Sequence, residues 1–170
     1  MAEREVLLDT NILGYAADSE APQHKHSLAV VNGVLDGLLP GVLVPQVLLE
    51  FYSVVTNRRV ARPLSPGEAL MRIQALRAGI PVLMLKDEAL DRLAQLAAEH
   101  QAIGPGVYDV FLVAQMLSYG VRLVCTYDRD FNRINGIEAV RPEDLLREYG
   151  MPADTDLTDG TRPDKSPASG

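Results

Sequence analysis

Four carboxylates stand in or beside strongly apolar segments of the chain: Asp9, Glu50, Asp109 and Asp128. Asp9 is the clearest case, because it directly follows the apolar run Val6–Leu8. Proteins rarely bury an ionised carboxylate unless a cation or several hydrogen-bond donors compensate it. If the fold gathers the four acids, they form a pocket of oxygen ligands that suits a divalent cation such as Mg²⁺. The sequence therefore predicts metal chemistry, with all four as catalytic and metal-ligating residues.

Polar neighbours of these acids are candidates for supporting roles. Thr10 and Asn11 can orient a water molecule or form a local turn, and the hydroxyl of Thr126 can hold a metal-bound water. Asp9 can also cap the helix that follows it, which is compatible with a ligand role. Asp130 lies two residues after Asp128, and the sequence leaves open which of them is the fourth acid.

Strand-like and helix-like segments alternate over residues 1–150, which predicts a three-layer α/β domain around a parallel sheet of four to five strands. Sites in such sheets lie at the carboxyl ends of strands. Asp9 and Asp128 follow predicted strands there, whereas Glu50 and Asp109 must reach that edge on helices. The predicted strands are Val6–Asp9, Gly41–Val44, Ile80–Leu85, Val121–Cys125 and Ile137–Val140.

The predicted helices follow from apolar spacing and capping signals. Ser65-Pro66-Gly67-Glu68 has the pattern of a capping box at a helix start. The remaining helical segments are one from about Asn11, His24–Leu38, Gln46–Arg59, Asp87–Gln101, one holding Asp109, and Pro142–Tyr149.

Composition limits the function classes. A net charge of −7 argues against a broad basic surface for duplex nucleic acid. Local clusters remain possible, with Arg58 and Arg59 behind Glu50 and Arg129 beside Asp128. The lone cysteine, Cys125, favours a reducing, cytoplasmic setting, and no apolar run approaches the roughly 20 residues of a membrane span. Residues 151–170 lack aromatic residues and are predicted to form a disordered tail.

Over about residues 1–148 the chain resembles the PIN-domain family, and specifically toxin ribonucleases of the VapC type. The resemblance rests on Leu7–Leu13, on Glu50, and on a long run from Tyr108 to Phe131 that includes Asp109, Thr126, Asp128 and Asp130. It implies a Rossmann-like sheet and Mg²⁺- or Mn²⁺-dependent cleavage of RNA by an acidic quartet of Asp9, Glu50, Asp109 and Asp128. It also implies a homodimer neutralised by a small antitoxin protein.

Two alternatives to a toxin stay open at this point. The PIN fold also serves RNA-processing nucleases that are not toxins. A non-catalytic PIN module that binds RNA or a partner protein is the second alternative, and the acidic net charge favours it.

Overall fold

A computed structural model describes residues 4–152 of the chain. Four strands form one parallel sheet within these residues: β1 (Val6–Leu8), β2 (Gly41–Val42), β3 (Leu123–Cys125) and β4 (Glu138–Val140). They lie in the order β2-β1-β3-β4. The chain therefore adds β2 on one side of β1 and returns to add β3 on the other. The gap between β1 and β3 is the topological switch point, where α/β sheets bind ligands.

Seven α-helices and one short 3₁₀ helix surround this sheet in residues 4–152. The 3₁₀ helix covers Arg129–Arg133 and follows β3. The α-helices are α1 (Thr10–Ala17), α2 (His24–Leu35), α3 (Pro45–Val55), α4 (Pro66–Gly79), α5 (Asp87–Glu99), α6 (Gly106–Leu117) and α7 (Pro142–Glu148).

The predicted α/β class with a parallel sheet flanked by helices is confirmed. Every residue of β1 is fully buried, as expected for a central strand covered on both faces. Close packing reaches β2 as well, since a Cβ on Gly41 would stand 2.3 Å from Cγ2 of Val34 on α2. No helix within residues 4–152 is long and apolar enough to cross a membrane.

One predicted strand, Ile80–Leu85, is wrong. Only Val82 pairs with the sheet, through an isolated parallel bridge to Leu43, while Met84 and Leu85 are exposed. The backbone bonds there run from the N–H of Leu43 to Pro81 and from the N–H of Leu83 to Leu43. The segment after β2 is too short to pair with more of Ile80–Leu85, because α3 begins at Pro45.

Several predicted helix boundaries also shift. The predicted His24–Leu38 ends at Leu35, the predicted Gln46–Arg59 ends at Val55, and Asp87 is the first residue of α5 rather than its cap. The capping box at the start of α4 is confirmed. The Ser65 hydroxyl accepts from the backbone N–H of Glu68, and the Glu68 carboxylate accepts from the backbone N–H of Ser65. Of the predicted tail, residues 153–170 lie outside the described part of the chain.

Candidate active site

The carboxyl ends of β1 and β3 lie side by side, and each continues directly into a polar residue. Asp9 follows β1 and Thr126 follows β3. The backbone N–H of Asp9 donates to the carbonyl of Cys125 at 3.1 Å, so the parallel ladder extends to the first residue of the site. The two neighbouring strands therefore fix Asp9 and Thr126 beside each other.

Three hydrogen bonds hold the Asp9 carboxylate, whose residue is only 7% exposed. Its Oδ1 accepts from the backbone N–H of Thr10 at 2.7 Å, which is the helix-capping bond of α1. Its Oδ2 accepts from the hydroxyl of Thr126 at 2.7 Å and from Nδ2 of Asn11 at 2.6 Å. Asp9 is thus both a helix cap and a rigidly oriented buried acid, as the sequence allowed.

The same network fixes the orientation of the Asn11 amide and of the Thr126 hydroxyl. Nδ2 of Asn11 also donates to Oγ1 of Thr126 at 2.9 Å, while Oδ1 of Asn11 accepts from the backbone N–H of Tyr127 at 3.3 Å. The Thr126 hydroxyl donates to Asp9 and accepts a further bond from the backbone N–H of Asp128 at 2.9 Å. Thr126 therefore ties Asp9 to the loop that carries Asp128.

Glu50 reaches the same site from α3. The hydroxyl of Thr10 donates to Oε2 of Glu50 at 2.8 Å, and the amide of Gln46 donates to Oε1 of Glu50 at 2.7 Å. Gln46 lies one helical turn before Glu50, where side chains of the same helix face meet. Thr10 consequently links the Asp9 and Glu50 carboxylates, one through its backbone N–H and the other through its hydroxyl.

The acids act on each other electrostatically. Burial raises the pKa of Asp9 to about 6, and the charges of Glu50 and Asp109 add to that rise against the opposing hydrogen bonds from Thr126 and Thr10. The pKa of Asp109, an exposed residue, is also raised, first by partial desolvation of its carboxyl and then by the charges of Asp128, Glu50 and Asp130. The four predicted acids therefore belong to one electrostatic cluster.

Burial of the four acids is uneven, which corrects one premise of the sequence argument. Asp9 is buried and Glu50 half-buried, but Asp109 and Asp128 are both exposed. Asp109 lies in the first turn of α6, and Asp128 caps the 3₁₀ helix by accepting from the N–H of Asp130 at 2.8 Å. Apolar neighbours in sequence did not imply burial at these two positions, because a helix end and a loop turn their polar side chains to solvent.

The donor set fits a hydrated divalent cation. Within residues 4–152 no Lys, Arg or His forms a salt bridge with Asp9, Glu50, Asp109 or Asp128, so the cluster lacks a protein counter-charge. No three acidic, His or Cys side chains in this part of the chain are placed to hold one ion together. Mg²⁺ typically takes one or two protein carboxylates and keeps several waters, so it does not require a triple protein cage.

Asp128 and Asp130 differ in their surroundings. Asp130 lies 3.4 Å from the guanidinium of Arg133, both being exposed. Asp128 has no such cationic partner among residues 4–152, and its charge raises the pKa of Asp109 more than the charge of Asp130 does. Tyr127 anchors the loop from the other side, since its hydroxyl donates to Glu143 on α7 at 3.0 Å.

A cleft of about 620 Å³ adjoins the acidic cluster at Asp9, and the other three acids are not among the described residues that line it. It begins at Asp9, Thr10 and Asn11, runs along α1, and ends between the segments that follow α1 and α3. Its distant end contains Arg62, which lies 3.9 Å from Glu20. The candidate RNA-binding residues Arg58, Arg59 and Arg129 are all exposed and form no salt bridge with another residue of the range 4–152.

The sequence argument missed two glutamines of the site. Gln46 contacts Glu50 directly, and Gln115 on α6 donates to Oε1 of Gln46 at 2.8 Å. Gln115 is only 4% exposed in an otherwise apolar stretch of α6. A polar residue among apolar ones on a buried helix face was the available signal.

Comparison with known proteins agrees with this geometry. The PIN domain family model matches residues 6–137, which is most of the chain. Ribonuclease VapC43 of Mycobacterium tuberculosis is 30% identical over 140 residues, covering 81% of this chain and 95% of the relative. Ribonuclease VapC37 of the same organism is 31% identical over 146 residues, covering 82% and 99%. The chain belongs to the PIN-domain family.

Solved structures show the same fold at lower identity. DNA-bound VapBC of Salmonella typhimurium aligns with a TM-score of 0.61 at 22% identity, covering 81% of this chain and 98% of that one. VapC20 of Mycobacterium tuberculosis, described as a sarcin-ricin loop cleaving toxin, aligns with a TM-score of 0.59 at 15% identity, covering 76% and 95%. At these identities the likeness supports the fold alone.

Proposed function

We propose that this chain is a metal-dependent endoribonuclease of the PIN-domain family, which cleaves RNA phosphodiester bonds with Mg²⁺ or Mn²⁺ at the cluster of Asp9, Glu50, Asp109 and Asp128. One or two of these carboxylates would bind the ion directly, and the others would act through its bound waters. One observation carries the proposal. Asp9 is a buried carboxylate, raised to a pKa of about 6, that has neighbouring acids and no cationic partner among residues 4–152. The ionised form of such a cluster is energetically unfavourable until a cation binds and compensates its charge.

The chain's own residues prepare the site for that cation. Asn11 and Thr126 occupy Oδ2 of Asp9, whereas Oδ1 accepts only the N–H of Thr10 and keeps a lone pair for a ligand. A bound divalent cation supplies an activated water and stabilises the oxygen that departs from phosphorus. We assign Asp128 as the fourth acid rather than Asp130, because Arg133 already pairs with Asp130.

The RNA strand would cross the acidic cluster with little help from the overall charge, which is −7. Local cations then have to hold the phosphates. Arg129 adjoins Asp128 in sequence, and Arg58 and Arg59 come after the end of α3, the helix that carries Glu50. All three side chains are exposed and can pair with phosphate. We assign these three arginines to RNA binding.

Similarity to proteins named VapC ribonucleases supports a toxin role within a type II toxin-antitoxin pair. We also propose a small antitoxin protein as partner, as the resemblance to VapC-type toxins implies; the chain shares its fold with VapBC2 of Rickettsia felis and VapBC of Salmonella typhimurium. We extend the proposal to a homodimer acting in the cytoplasm, where its RNA substrate would be. Molar mass measured by light scattering tests the dimer directly.

Induced expression in a bacterial host tests the toxin function. The wild-type chain should arrest growth, and the Asp9→Asn variant should not, because it cannot hold the cation. Asp36→Asn is the matched control, since Asp36 is exposed at the end of α2 and outside the cluster. A harmless wild-type chain would reject the toxin role, and growth arrest by Asp9→Asn equal to that by Asp36→Asn would reject the role of Asp9 in it.

A further inference from the structure

A chain of two side-chain amides connects α6 to the acidic cluster. Nε2 of the buried Gln115 donates to Oε1 of Gln46 at 2.8 Å. Nε2 of Gln46 then donates to Oε1 of Glu50 at 2.7 Å and to the backbone carbonyl of Tyr108 at 2.9 Å. Tyr108 directly precedes Asp109 in sequence. The two amides therefore contact Glu50 itself and the backbone next to Asp109.

The chemistry of the partners fixes the direction of both amides. Glu50 offers a carboxylate and Tyr108 a carbonyl, and each of these groups can only accept. The NH₂ end of Gln46 must therefore face them, which leaves its oxygen toward Gln115. Gln115 must in turn present its own NH₂ group. No other assignment of the four amide ends satisfies these bonds.

This amide chain is also a direct polar link between α3 and α6, the two acid-bearing helices. Among the described residues, α3 packs mainly on α1 and α4, whereas α6 packs mainly on α5. The carboxylates of Glu50 and Asp109 repel one another, and each would move away from the other if nothing held them. The bonds of Gln46 to both helices oppose that movement.

We propose that Gln46 and Gln115 are positioning residues that orient the Glu50 carboxylate beside the first turn of α6 for cation binding, with Gln115 acting through Gln46. The inference rests on the proposed function. Neither glutamine has to touch the RNA or the cation. Groups that hydrogen-bond to metal-ligating side chains typically contribute 10- to 100-fold in metal affinity or activity, so this role should be measurable.

Mn²⁺ titration followed by electron paramagnetic resonance, without RNA, tests the inference. Gln46→Met keeps the side-chain length but removes the bonds to Glu50 and Tyr108, and should weaken the tightest Mn²⁺ site by about 10-fold or more. Gln115 contacts none of the four acids, yet Gln115→Met should also weaken the tightest Mn²⁺ site, by a smaller factor than Gln46→Met does. Because Gln115 acts through Gln46, the double variant should bind Mn²⁺ no more weakly than Gln46→Met alone.

Gln95→Met is a matched control. Gln95 donates to Glu99 at 2.9 Å one helical turn away, the same arrangement as Gln46 and Glu50, but on the exposed face of α5. It should leave Mn²⁺ affinity unchanged. In RNA cleavage at limiting Mn²⁺, Gln46→Met should lower kcat and leave the KM for RNA unchanged, because the RNA-binding arginines are intact.

Each outcome separates the positioning role from the proposed function. Wild-type Mn²⁺ affinity in Gln46→Met, or losses that add fully in the double variant, would overturn the positioning role while the nuclease stands. A wild-type chain that neither binds Mn²⁺ nor cleaves RNA would overturn both. If Gln46→Met does not fold, Gln115→Met carries the test, and an unchanged Mn²⁺ affinity there would reject the role.

Discussion

Replacing Asp9 by asparagine should make the metal-free protein more stable while removing its activity. The pKa of Asp9 is about 6 in the folded protein, against 3.8 for an unperturbed aspartate. At about 1.4 kcal/mol for each pH unit of difference, keeping Asp9 ionised at neutral pH costs the fold about 3 kcal/mol. An amide resembles the protonated acid and avoids this cost.

The side chain of asparagine has two N–H donors, whereas a protonated aspartic acid has one O–H donor. Three hydrogen-bond donors of the site already point at this side chain, so the additional N–H lacks an acceptor. One unfulfilled donor costs about 1–3 kcal/mol, so we expect a net gain of up to about 2 kcal/mol at pH 7.5. For a chain of this size a gain of about 2 kcal/mol corresponds to roughly 4–8 °C in Tm.

The pH dependence identifies the cause. The folded protein binds the Asp9 proton more tightly than the unfolded chain does, so this group lowers the unfolding free energy as pH rises from about 4 to about 6. Asp9→Asn lacks this dependence. The stability advantage of the variant should therefore be present at pH 7.5 and disappear near pH 4.

Urea unfolding of the metal-free proteins at several pH values measures this difference, with Asp36→Asn as the control for loss of an exposed carboxylate. Mg²⁺ should then raise the Tm of the wild type and leave that of Asp9→Asn unchanged, because only a protein that binds the ion gains from it. Lower stability of Asp9→Asn than of the wild type at pH 7.5, or a stability difference that does not change with pH, would refute the electrostatic account of Asp9.

Three further predictions follow from single contacts. Thr126→Val removes the hydroxyl bonded to Asp9, so it should raise the pKa of Asp9 further and destabilise the fold by about 1–3 kcal/mol; carbon-13 NMR titration and urea unfolding measure the two effects. Asp128→Asn should reduce RNA cleavage far more than Asp130→Asn, and the reverse order in cleavage assays would exchange their roles. Ser65→Ala removes a helix cap and should cost about 1 kcal/mol in urea unfolding without changing RNA cleavage.

The sequence predicted the fold where the local signals and the tertiary structure agree. Val6–Leu8 and Val121–Cys125 are apolar runs that become the two central strands, and the predicted family is confirmed by the PIN domain match. Ile80–Leu85 has the same apolar composition but pairs through one residue only. Local composition cannot show whether a partner strand is long enough to pair with, so this segment was wrongly assigned.

For the site as well, part of the prediction agrees with the structure and part was missed. The electrostatic grouping of Asp9, Glu50, Asp109 and Asp128 agrees with the prediction, although their metal-ligating and catalytic roles stay predictions. Gln115 escaped notice because its partner lies 69 residues away, and a neutral amide gives no warning from charge. Contacts between helices that are distant in sequence decide such roles.

RNA cleavage by the purified chain with Mg²⁺, compared with the same reaction in excess chelator and with Asp9→Asn, tests the central claim most directly. The account predicts cleavage by the wild type and by Asp36→Asn with Mg²⁺, and at least a 100-fold loss both in chelator and in Asp9→Asn, consistent with about 3 kcal/mol of transition-state stabilisation. Cleavage that persists in chelator, or that survives in Asp9→Asn, would contradict it.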